Sequence, residues 1–323
     1  MKKPKTLQQA IVHFSSPDNC LNWMVNLRWP NGVVCPTCER KDANFLANQR
    51  KWQCKSVHDH RQFSVKVGTI FEDSPISLDK WLVAVWMIAN CKNGVSSYEV
   101  ARAIGVTQKS AWFMLHRIRL AMQRDSSVKL GGKGKEVEVD EAFVGGKSRN
   151  MHSNVRERRM VKNSDKGKTP VLGILERGGN VHAHVISSRK KKSLQAEVRK
   201  HVTAETALFT DALPSYEGLI RDYKHQVIDH AVAYVDGKVH TNNLENFWSL
   251  LKRGLKGTYV SVEPFHLFRY LDEQAFRYNI RKNDSGPVTD TERFDGVLSH
   301  VLGKRLTYAE LTGKIGTTDC HPN

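Results

Sequence analysis

Three acidic residues in different predicted elements could together bind divalent metal ions. Asp140 and Asp211 each end a short strand with apolar residues, and Glu245 lies one turn into an amphipathic helix. Carboxylate oxygens are ligands of hard cations, and a pair of such cations can activate water against a phosphodiester. The three residues are therefore candidate ligands of two Mg²⁺ (or Mn²⁺) ions in a site for phosphoryl transfer.

The helix that carries Glu245 also has a basic face. Apolar residues at helical spacing predict a helix from 242 to 255. Lys252 follows Glu245 by two turns, about 10 Å along the axis and on nearly the same face. This position suits a lysine that holds or polarises a phosphate, so Lys252 is a candidate catalytic residue. With Arg253 and Lys256 it is also predicted to bind a DNA backbone that passes over the helix.

Each acid also has a simpler explanation. Asp140 could be a turn residue at a strand end, Asp211 could form an Asx turn, and Glu245 could cap the positive end of its helix. The combination of all three, in suitable elements of a basic protein, favours a metal site. Glu138 shares a strand face with Asp140, because side chains alternate along a strand, and is a candidate supporting group.

A cysteine cluster precedes these elements. Cys35 and Cys38 form a C-x2-C pair, Cys54 follows, and then come His58 and His60. Three thiolates and one imidazole form a tetrahedral structural zinc site. The spacing favours His58 as the fourth ligand, with His60 as the alternative. Buried free thiols with solvent histidines would explain the cluster without metal.

A second predicted feature is a helix-turn-helix. Ser96 and Glu99 have capping-box spacing, Gly105 permits a turn, and Thr107 can cap the next helix, 108–122. As a recognition helix, that segment would place three residues in the major groove of DNA. These residues are Gln108, Lys109 and Ser110. The alternative is an ordinary helical hairpin with its basic residues, such as Arg117 and Arg119, in solvent.

Composition indicates the class of partner. The 323 residues carry a formal net charge of +17 and 40% are hydrophobic, so a folded protein that binds a polyanion is expected. No apolar run approaches the roughly 20 residues of a membrane helix, and the N-terminus lacks an apolar signal region. The chain is therefore predicted to avoid membranes and to act in the cytoplasm, associated with the nucleoid.

Four regions follow from these patterns. They are a zinc ribbon (1–75), a helical segment with the helix-turn-helix (76–130), an α/β domain (131–282) and a C-terminal tail (283–323). The third region has the order β-β-β-α-β-α-β-α, which is that of a ribonuclease-H-like fold, a mixed sheet flanked by helices. Its first helix is predicted at 193–202 with Ser193 as N-cap, and its second at 214–221.

With these residues established, the chain resembles bacterial insertion-sequence transposases of the DDE type. It is similar to the group with an N-terminal zinc ribbon and a ribonuclease-H-like, ISXO-type catalytic domain. The resemblance runs from about residue 15 to residue 282. Its matching stretches are residues 35–38, 61–71, 139–147, 210–212, 240–245 and 252–254.

The resemblance implies roles for the candidate residues. Asp140, Asp211 and Glu245 would be the metal-binding catalytic residues, with Lys252 as the basic residue after the third acid. The family usually has a fourth cysteine in its ribbon, where this chain offers a histidine. The implied activity is cleavage at the terminal inverted repeats of double-stranded DNA and strand transfer to target DNA, by homo-oligomers on paired ends.

Two other functions fit part of the pattern. A non-catalytic DNA-binding regulator derived from a transposase would use the ribbon and the helix-turn-helix and keep the acids for folding. A structure-specific nuclease would share the cleavage chemistry without strand joining.

Overall fold

The chain forms two compact units. The computed structural model describes residues 3–123, 128–145, 168–228, 240–283 and 285–314. The first unit contains the described residues of 1–122 and 283–323, and the second contains those of 123–282. None of the helices among the described residues is long and apolar enough to cross a membrane.

The first unit is mainly helical. Its N-terminal part contains α1 (Leu7–Phe14), α2 (Pro17–Arg28), the antiparallel strands β1 (Asn44–Leu46), β2 (Lys51–Gln53) and β3 (Gln62–Phe63), then α3 (Leu78–Asn90), α4 (Ser97–Ile104) and α5 (Gln108–Met122).

After the second unit the chain returns to the first. It contributes α9 (Asp290–Leu298) and α10 (Tyr308–Leu311), after a short ladder of β9 (Lys282–Asn283) and β10 (Gly286–Pro287).

The core of the first unit is aromatic and includes a residue of the C-terminal segment. Phe294 of α9 is fully buried, and its ring centroid lies 5.5 Å from that of Phe14, 5.7 Å from that of Trp23 and 5.2 Å from that of Trp86. Such contacts stabilise by about 0.5–1.5 kcal/mol per pair beyond area burial. The C-terminal segment is therefore part of the core of the first unit.

Helix α5 uses basic side chains inside this core. Arg117 and Arg119 are buried, so the expectation that they face solvent is wrong. Arg117 donates from Nε to the Leu306 carbonyl at 3.1 Å and from Nη2 to the Glu72 carbonyl at 2.6 Å. Its guanidinium also lies 5.1 Å from the Phe113 ring centroid. Periodicity places these residues off the apolar stripe, but it cannot show that neighbouring segments cover them.

The second unit is built on a five-stranded mixed sheet in the order β6-β5-β4-β7-β8. Strand β4 pairs antiparallel with β5 and parallel with β7. This sheet, flanked by helices, is the architecture expected for a ribonuclease-H-like DDE domain and confirms that part of the fold prediction. Its elements are β4 (Glu136–Val144), β5 (Thr169–Glu176), β6 (Val181–Val185), α6 (Lys191–His201), β7 (Ala207–Asp211), β8 (Lys224–Ile228), α7 (Asn242–Gly254) and α8 (Leu267–Asn279).

Each face of the sheet carries its own apolar cluster. On one face Val139 and Ile174 pack with Val198 of α6. On the other face Val171 packs with Phe247 of α7 and other apolar residues of α7 and α8. Strands β4 and β5 contribute to both clusters and are covered on both sides, as expected where a parallel strand pair needs a helical crossover, whereas Gln226 and Val227 of the edge strand β8 are exposed.

Two sequence predictions in this unit are wrong in detail. Helix α6 begins at Lys191 with Lys190 at its N-cap, so Ser193 lies inside the helix and does not cap it. The predicted helix at 214–221 is two 3₁₀ helices, Pro214–Tyr216 and Leu219–Arg221. Gly218 separates them with a φ of 97°, a left-handed conformation that ends a helix.

Gly173 permits the close packing of α7 on the sheet. A Cβ atom at this position would lie 2.5 Å from Cζ2 of Trp248 and 2.8 Å from Cδ2 of Leu244. We expect Gly173→Ala to lower the free energy of unfolding by about 1–3 kcal/mol, measured by urea denaturation of the full chain. Gly257→Ala is the control, because nothing lies within 4 Å of its added Cβ. Equal stability of the two variants would contradict the prediction.

Candidate metal centres

The carboxyl ends of two neighbouring parallel strands carry an acidic cluster. Val139 of β4 pairs with Thr210 of β7, so the next residues, Asp140 and Asp211, lie side by side. The ligand oxygens of Asp140, Glu141 and Asp211 all lie within 4.8 Å of one another. Carboxylates at this spacing fit a shared hard divalent cation.

Glu141 belongs to this cluster and was missed from the sequence. Strand alternation places it on the face opposite to Asp140, but that argument ignores the reach of a glutamate side chain. The Tyr216 hydroxyl donates to Oε1 of Glu141, and Nη2 of Arg189 lies 3.9 Å from its Oε2. The sequence contains one feature that could have identified Glu141: it is an acidic residue that directly follows the predicted metal ligand Asp140.

Glu245 lies outside the group of three. It is exposed in the first turn of α7, and its negative charge contributes to a raised pKa of Asp140 after the larger effects of burial and Asp211. One turn further along, Nε1–H of Trp248 donates to Oδ2 of Asp140 at 3.0 Å. This bond joins α7 to β4 close to the acidic cluster.

The electrostatics of the cluster favour cation binding. Burial and the charge of Asp211 raise the pKa of Asp140 to about 6, although the Glu141 N–H and Trp248 oppose the rise. Burial raises the pKa of Glu141 to about 7, with a partial offset from the Tyr216 hydrogen bond. A bound cation would neutralise these charges, so proton and metal should compete for the site.

The raised pKa values of Asp140 and Glu141 predict how the stability of the second unit depends on pH. The two pKa values lie above the ordinary values of 3.8 and 4.5, so the folded protein binds more protons than the unfolded chain between about pH 4 and pH 7. The contribution of the cluster to stability therefore falls as pH rises through this window. At pH 8, with ribbon zinc retained, we expect added Mg²⁺ to raise the unfolding temperature of the second unit by about 2–4 °C.

Asp140→Asn is the control for the pH dependence of stability, because it removes one charge of the cluster. Its unfolding temperature should change less between pH 5 and pH 8 than that of the unmodified protein. The same pH dependence in both proteins would show that the cluster does not cause the effect.

Glu138 anchors the N-terminus of α7. Its side chain is fully buried and accepts hydrogen bonds from the backbone N–H groups of Asn243 and Leu244, both at 3.1 Å. The Asn243 side chain donates to it at 2.8 Å, and Nε of Arg177 does so at 2.8 Å. A carboxylate at this helix end is also favoured by the helix dipole. Glu138 thus fixes the start of the helix that carries Glu245.

Arg177 completes this anchor. Its Nη2 donates to the His240 carbonyl at 2.7 Å, and its Nη1 lies 3.0 Å from Oε2 of Glu136. The guanidinium lies 4.1 Å from the centroid of the Phe209 ring. One side chain therefore links β4, β7 and the segment that enters α7.

We expect Glu138→Ala to lower the free energy of unfolding by about 3–5 kcal/mol, because the largely buried Arg177 would lose its buried partner and the N–H groups of Asn243 and Leu244 would lose their acceptor. Glu136→Ala is the matched control. Glu136 pairs with the same arginine but its side chain is 35% exposed, so a loss of about 0–1 kcal/mol is expected. Urea denaturation measures both, and similar losses would rule out Glu138 as the anchor.

The predicted basic face of α7 is exposed. Lys252 and Arg253 are exposed in α7, and Lys256 is exposed in the π-helical turn Leu255–Tyr259 that follows it. Glu245 and Ser249 are exposed on the same helix. This surface is open to a polyanion.

The first unit holds the second candidate metal-binding group. The ligand atoms of Cys35, Cys38, Cys54 and His58 all lie within 4.8 Å of one another, and His60 is not in this group. Sγ of Cys35 lies 3.5 Å from Nε2 of His58, and the Sγ atoms of Cys38 and Cys54 are 3.5 Å apart. Ligands of one tetrahedral zinc ion would lie about 3.6 Å (S to N) and 3.8 Å (S to S) apart. The residues fit zinc.

Local hydrogen bonds position these ligands and favour the forms that bind metal. The N–H groups of Cys35 and Cys54 donate to the carbonyls of Arg40 and Arg61, each at 2.9 Å, and close the two turns. Burial would raise the pKa of Cys35, but hydrogen bonds from nearby groups, the Cys38 N–H first, lower it to about 6. In the tautomer with a proton on Nδ1, His58 donates to the Asp59 carbonyl at 2.6 Å and leaves Nε2 for metal.

The three residues predicted to contact DNA bases lie at the start of α5. Nε2 of Gln108 donates to Oγ of Ser97 at 2.8 Å, and Nζ of the exposed Lys109 lies 4.8 Å from the Tyr308 ring centroid. The Ser110 N–H donates to Oγ1 of Thr107 at 3.1 Å. Each has an intramolecular contact, so DNA binding would have to share or replace it.

The connection between α4 and α5 is tight, as the sequence predicted. Helix α4 begins with a capping box formed by Ser96 and Glu99, and Gly105 follows it with a φ of 62°. Thr107 then caps α5. Two helices joined in this way are compatible with a helix-turn-helix.

Comparison with known proteins identifies the class. Residues 129–279 match the ISXO2-like transposase domain, and residues 15–59 match the transposase zinc-ribbon domain. These two matches confirm the resemblance to insertion-sequence transposases for the two segments that they cover. It is similar to an "Uncharacterized protein in transposable element ISH50" of Halobacterium salinarum, with 26% identity over 258 residues. That match covers 76% of this chain and 85% of the relative.

Proposed function

We propose that this protein catalyses cleavage at the ends of an insertion sequence and transfer of the cut strand to target DNA. One observation carries the proposal: the ligand oxygens of Asp140 and Asp211 lie within 4.8 Å at the ends of neighbouring parallel strands. They do so inside the segment that matches the transposase domain. Double-stranded DNA at the terminal repeats and at the target would be the substrate, on the chromosome in the nucleoid.

Each candidate residue has a role in this proposal. Asp140, Asp211 and Glu245 would hold two Mg²⁺ (or Mn²⁺) ions, with Glu141 as a further oxygen donor. These ions would supply an activated water or 3′ hydroxyl and charge stabilisation at the phosphate. Lys252 would hold a phosphate next to the site. Because Glu245 lies outside the group of three, its carboxylate would have to move towards Asp140 when the ions bind.

DNA binding would be shared between surfaces of the two units. In the first unit the zinc ribbon, with Cys35, Cys38, Cys54 and His58 on zinc, would contact the element end. The start of α5 (Gln108, Lys109 and Ser110) would enter a major groove. In the second unit Lys252, Arg253 and Lys256 would neutralise the backbone, so binding should weaken with salt. A homo-oligomer would bring two ends together.

The test uses the full-length protein with duplex DNA taken from the flanks of its coding region. We expect a new 3′ hydroxyl at the element end, followed by joined product, when Mg²⁺ or Mn²⁺ is present and not in its absence. Specific binding without cleavage in either metal would favour a DNA-binding regulator. Cleavage without any joined product would favour a nuclease.

A further inference from the structure

A third group of side chains that could hold a metal ion lies between the edge strand β6 and helix α6. His184, Glu197 and His201 have ligand atoms that all lie within 4.8 Å of one another. His182 is next to them, with its ring centroid 5.9 Å from that of His201. These residues belong to neither the acidic cluster nor the zinc ribbon.

The two elements present these residues by their own periodicities. His182 and His184 are two residues apart on β6 and share one face of the strand. Glu197 and His201 are four residues apart on α6 and share one face of the helix. The ring centroids of His184 and His201 are 4.9 Å apart, so the two faces meet.

The distances within the group are those of ligands around one ion. Nε2 of His184 lies 3.2 Å from Oε2 of Glu197, and Nε2 of His201 lies 3.5 Å from the same oxygen. Tetrahedral ligands 2.0–2.1 Å from zinc are about 3.4 Å apart. The two observed values bracket this spacing.

The burial of the group also suits a metal. His184 and Glu197 are partly buried and His201 is buried, so the three side chains are largely withdrawn from solvent. The metal-free alternative is one carboxylate oxygen that accepts hydrogen bonds from two histidines.

We propose that His184, Glu197 and His201 form a binding site for a Zn²⁺-class transition metal ion, separate from the Mg²⁺ site. Two imidazoles and one carboxylate select zinc and its neighbours, whereas an all-oxygen site selects magnesium. A water molecule or His182 would complete the coordination. The ion would fasten the edge strand β6 to helix α6. This proposal does not depend on DNA transposition.

The test is the zinc content of the full chain. The protein is loaded with Zn²⁺, dialysed with excess Mg²⁺ to occupy the acidic cluster, and its zinc is measured by mass spectrometry. We expect one zinc ion per chain from the ribbon and a second from this site. His184→Gln and Glu197→Gln should each lose the second ion and keep the ribbon zinc. His300→Gln, which changes an exposed histidine elsewhere, should keep both.

A second measurement identifies the ligands. Cys38→Ser should lose the ribbon zinc and keep the second ion. In Co²⁺ titrations the second equivalent should lack the thiolate charge-transfer bands that the ribbon produces. A single zinc ion in the unmodified protein, or a second ion that survives both His184→Gln and Glu197→Gln, would overturn the proposal. The first of these outcomes needs no variant to fold.

Discussion

Replacing Asp140 or Asp211 by asparagine is expected to reduce DNA strand cleavage by roughly 10³- to 10⁶-fold, the loss seen when a member of a cooperating catalytic set is removed. Asparagine keeps the size of the side chain, and its oxygen can still accept the Trp248 hydrogen bond at position 140. It lacks the negative charge that would hold a divalent cation. The measurement is single-turnover cleavage of element-end DNA at saturating protein.

DNA affinity should change little in the same variants, because the basic residues remain. Asp222→Asn is the matched control, since Asp222 is 40% exposed and pairs with Arg199 at 2.8 Å outside the acidic cluster. Full cleavage by Asp140→Asn or Asp211→Asn would remove that residue from the site.

Glu245→Gln tests the third acid in the same assay. If its carboxylate joins the cluster when metal binds, cleavage should fall as in the aspartate variants. Glu217→Gln, with a side chain 72% exposed, is the control. Glu141→Gln, assayed in parallel, tests how much the acid that the sequence analysis did not identify contributes to cleavage. Loss of activity in Glu141→Gln with full activity in Glu245→Gln would assign the third position to Glu141.

Removal of zinc is expected to unfold the ribbon. Strands β1, β2 and β3 have three, three and two residues, and their apolar support is a small group of rings that includes Trp52 and Phe63, 6.1 Å apart. So small a sheet lacks the core to fold alone. Structural zinc supplies about 10–16 kcal/mol in comparable sites, which is as large as the whole free energy of unfolding of a typical domain, about 5–15 kcal/mol.

Limited proteolysis with and without a chelator measures this effect. Cleavage within residues 29–66 should appear on zinc removal and in Cys38→Ser and His58→Ala. Cys91→Ser and His60→Ala are the controls, because neither residue is in the group of four. A ribbon that resists protease after complete zinc removal would show that the metal is not needed for folding.

The sequence predicts most of the elements around the acidic cluster. Strand β4 and helix α5 have the predicted bounds, because each has a clear apolar pattern and a turn or cap at its end. The proximity of Asp140 to Asp211 follows from the order of the strands. At 191–193 and 214–221 the pattern is shorter, and local capping rules did not decide where the helices begin and end.

Other features depend on contacts that no local pattern contains. Glu141 joins the cluster because Tyr216, distant in the chain, is placed against it by the fold. Arg117 is buried because carbonyls of Glu72 and Leu306 replace its hydration. The histidines of β6 meet Glu197 and His201 of α6 only after the crossover helix has packed on the sheet. Sequence alone cannot supply these pairings.

The return of the chain to its first unit has a consequence for synthesis on the ribosome. Phe294 fills the space among Phe14, Trp23 and Trp86, yet it is translated after the whole second unit. At about 5–20 residues per second, this ring is synthesised roughly 10–30 s after residue 122. During that interval the nascent N-terminal helices expose their aromatic side chains. A chain truncated after residue 282 would therefore keep the α/β unit, but its helical first unit would lack Phe294 in its core.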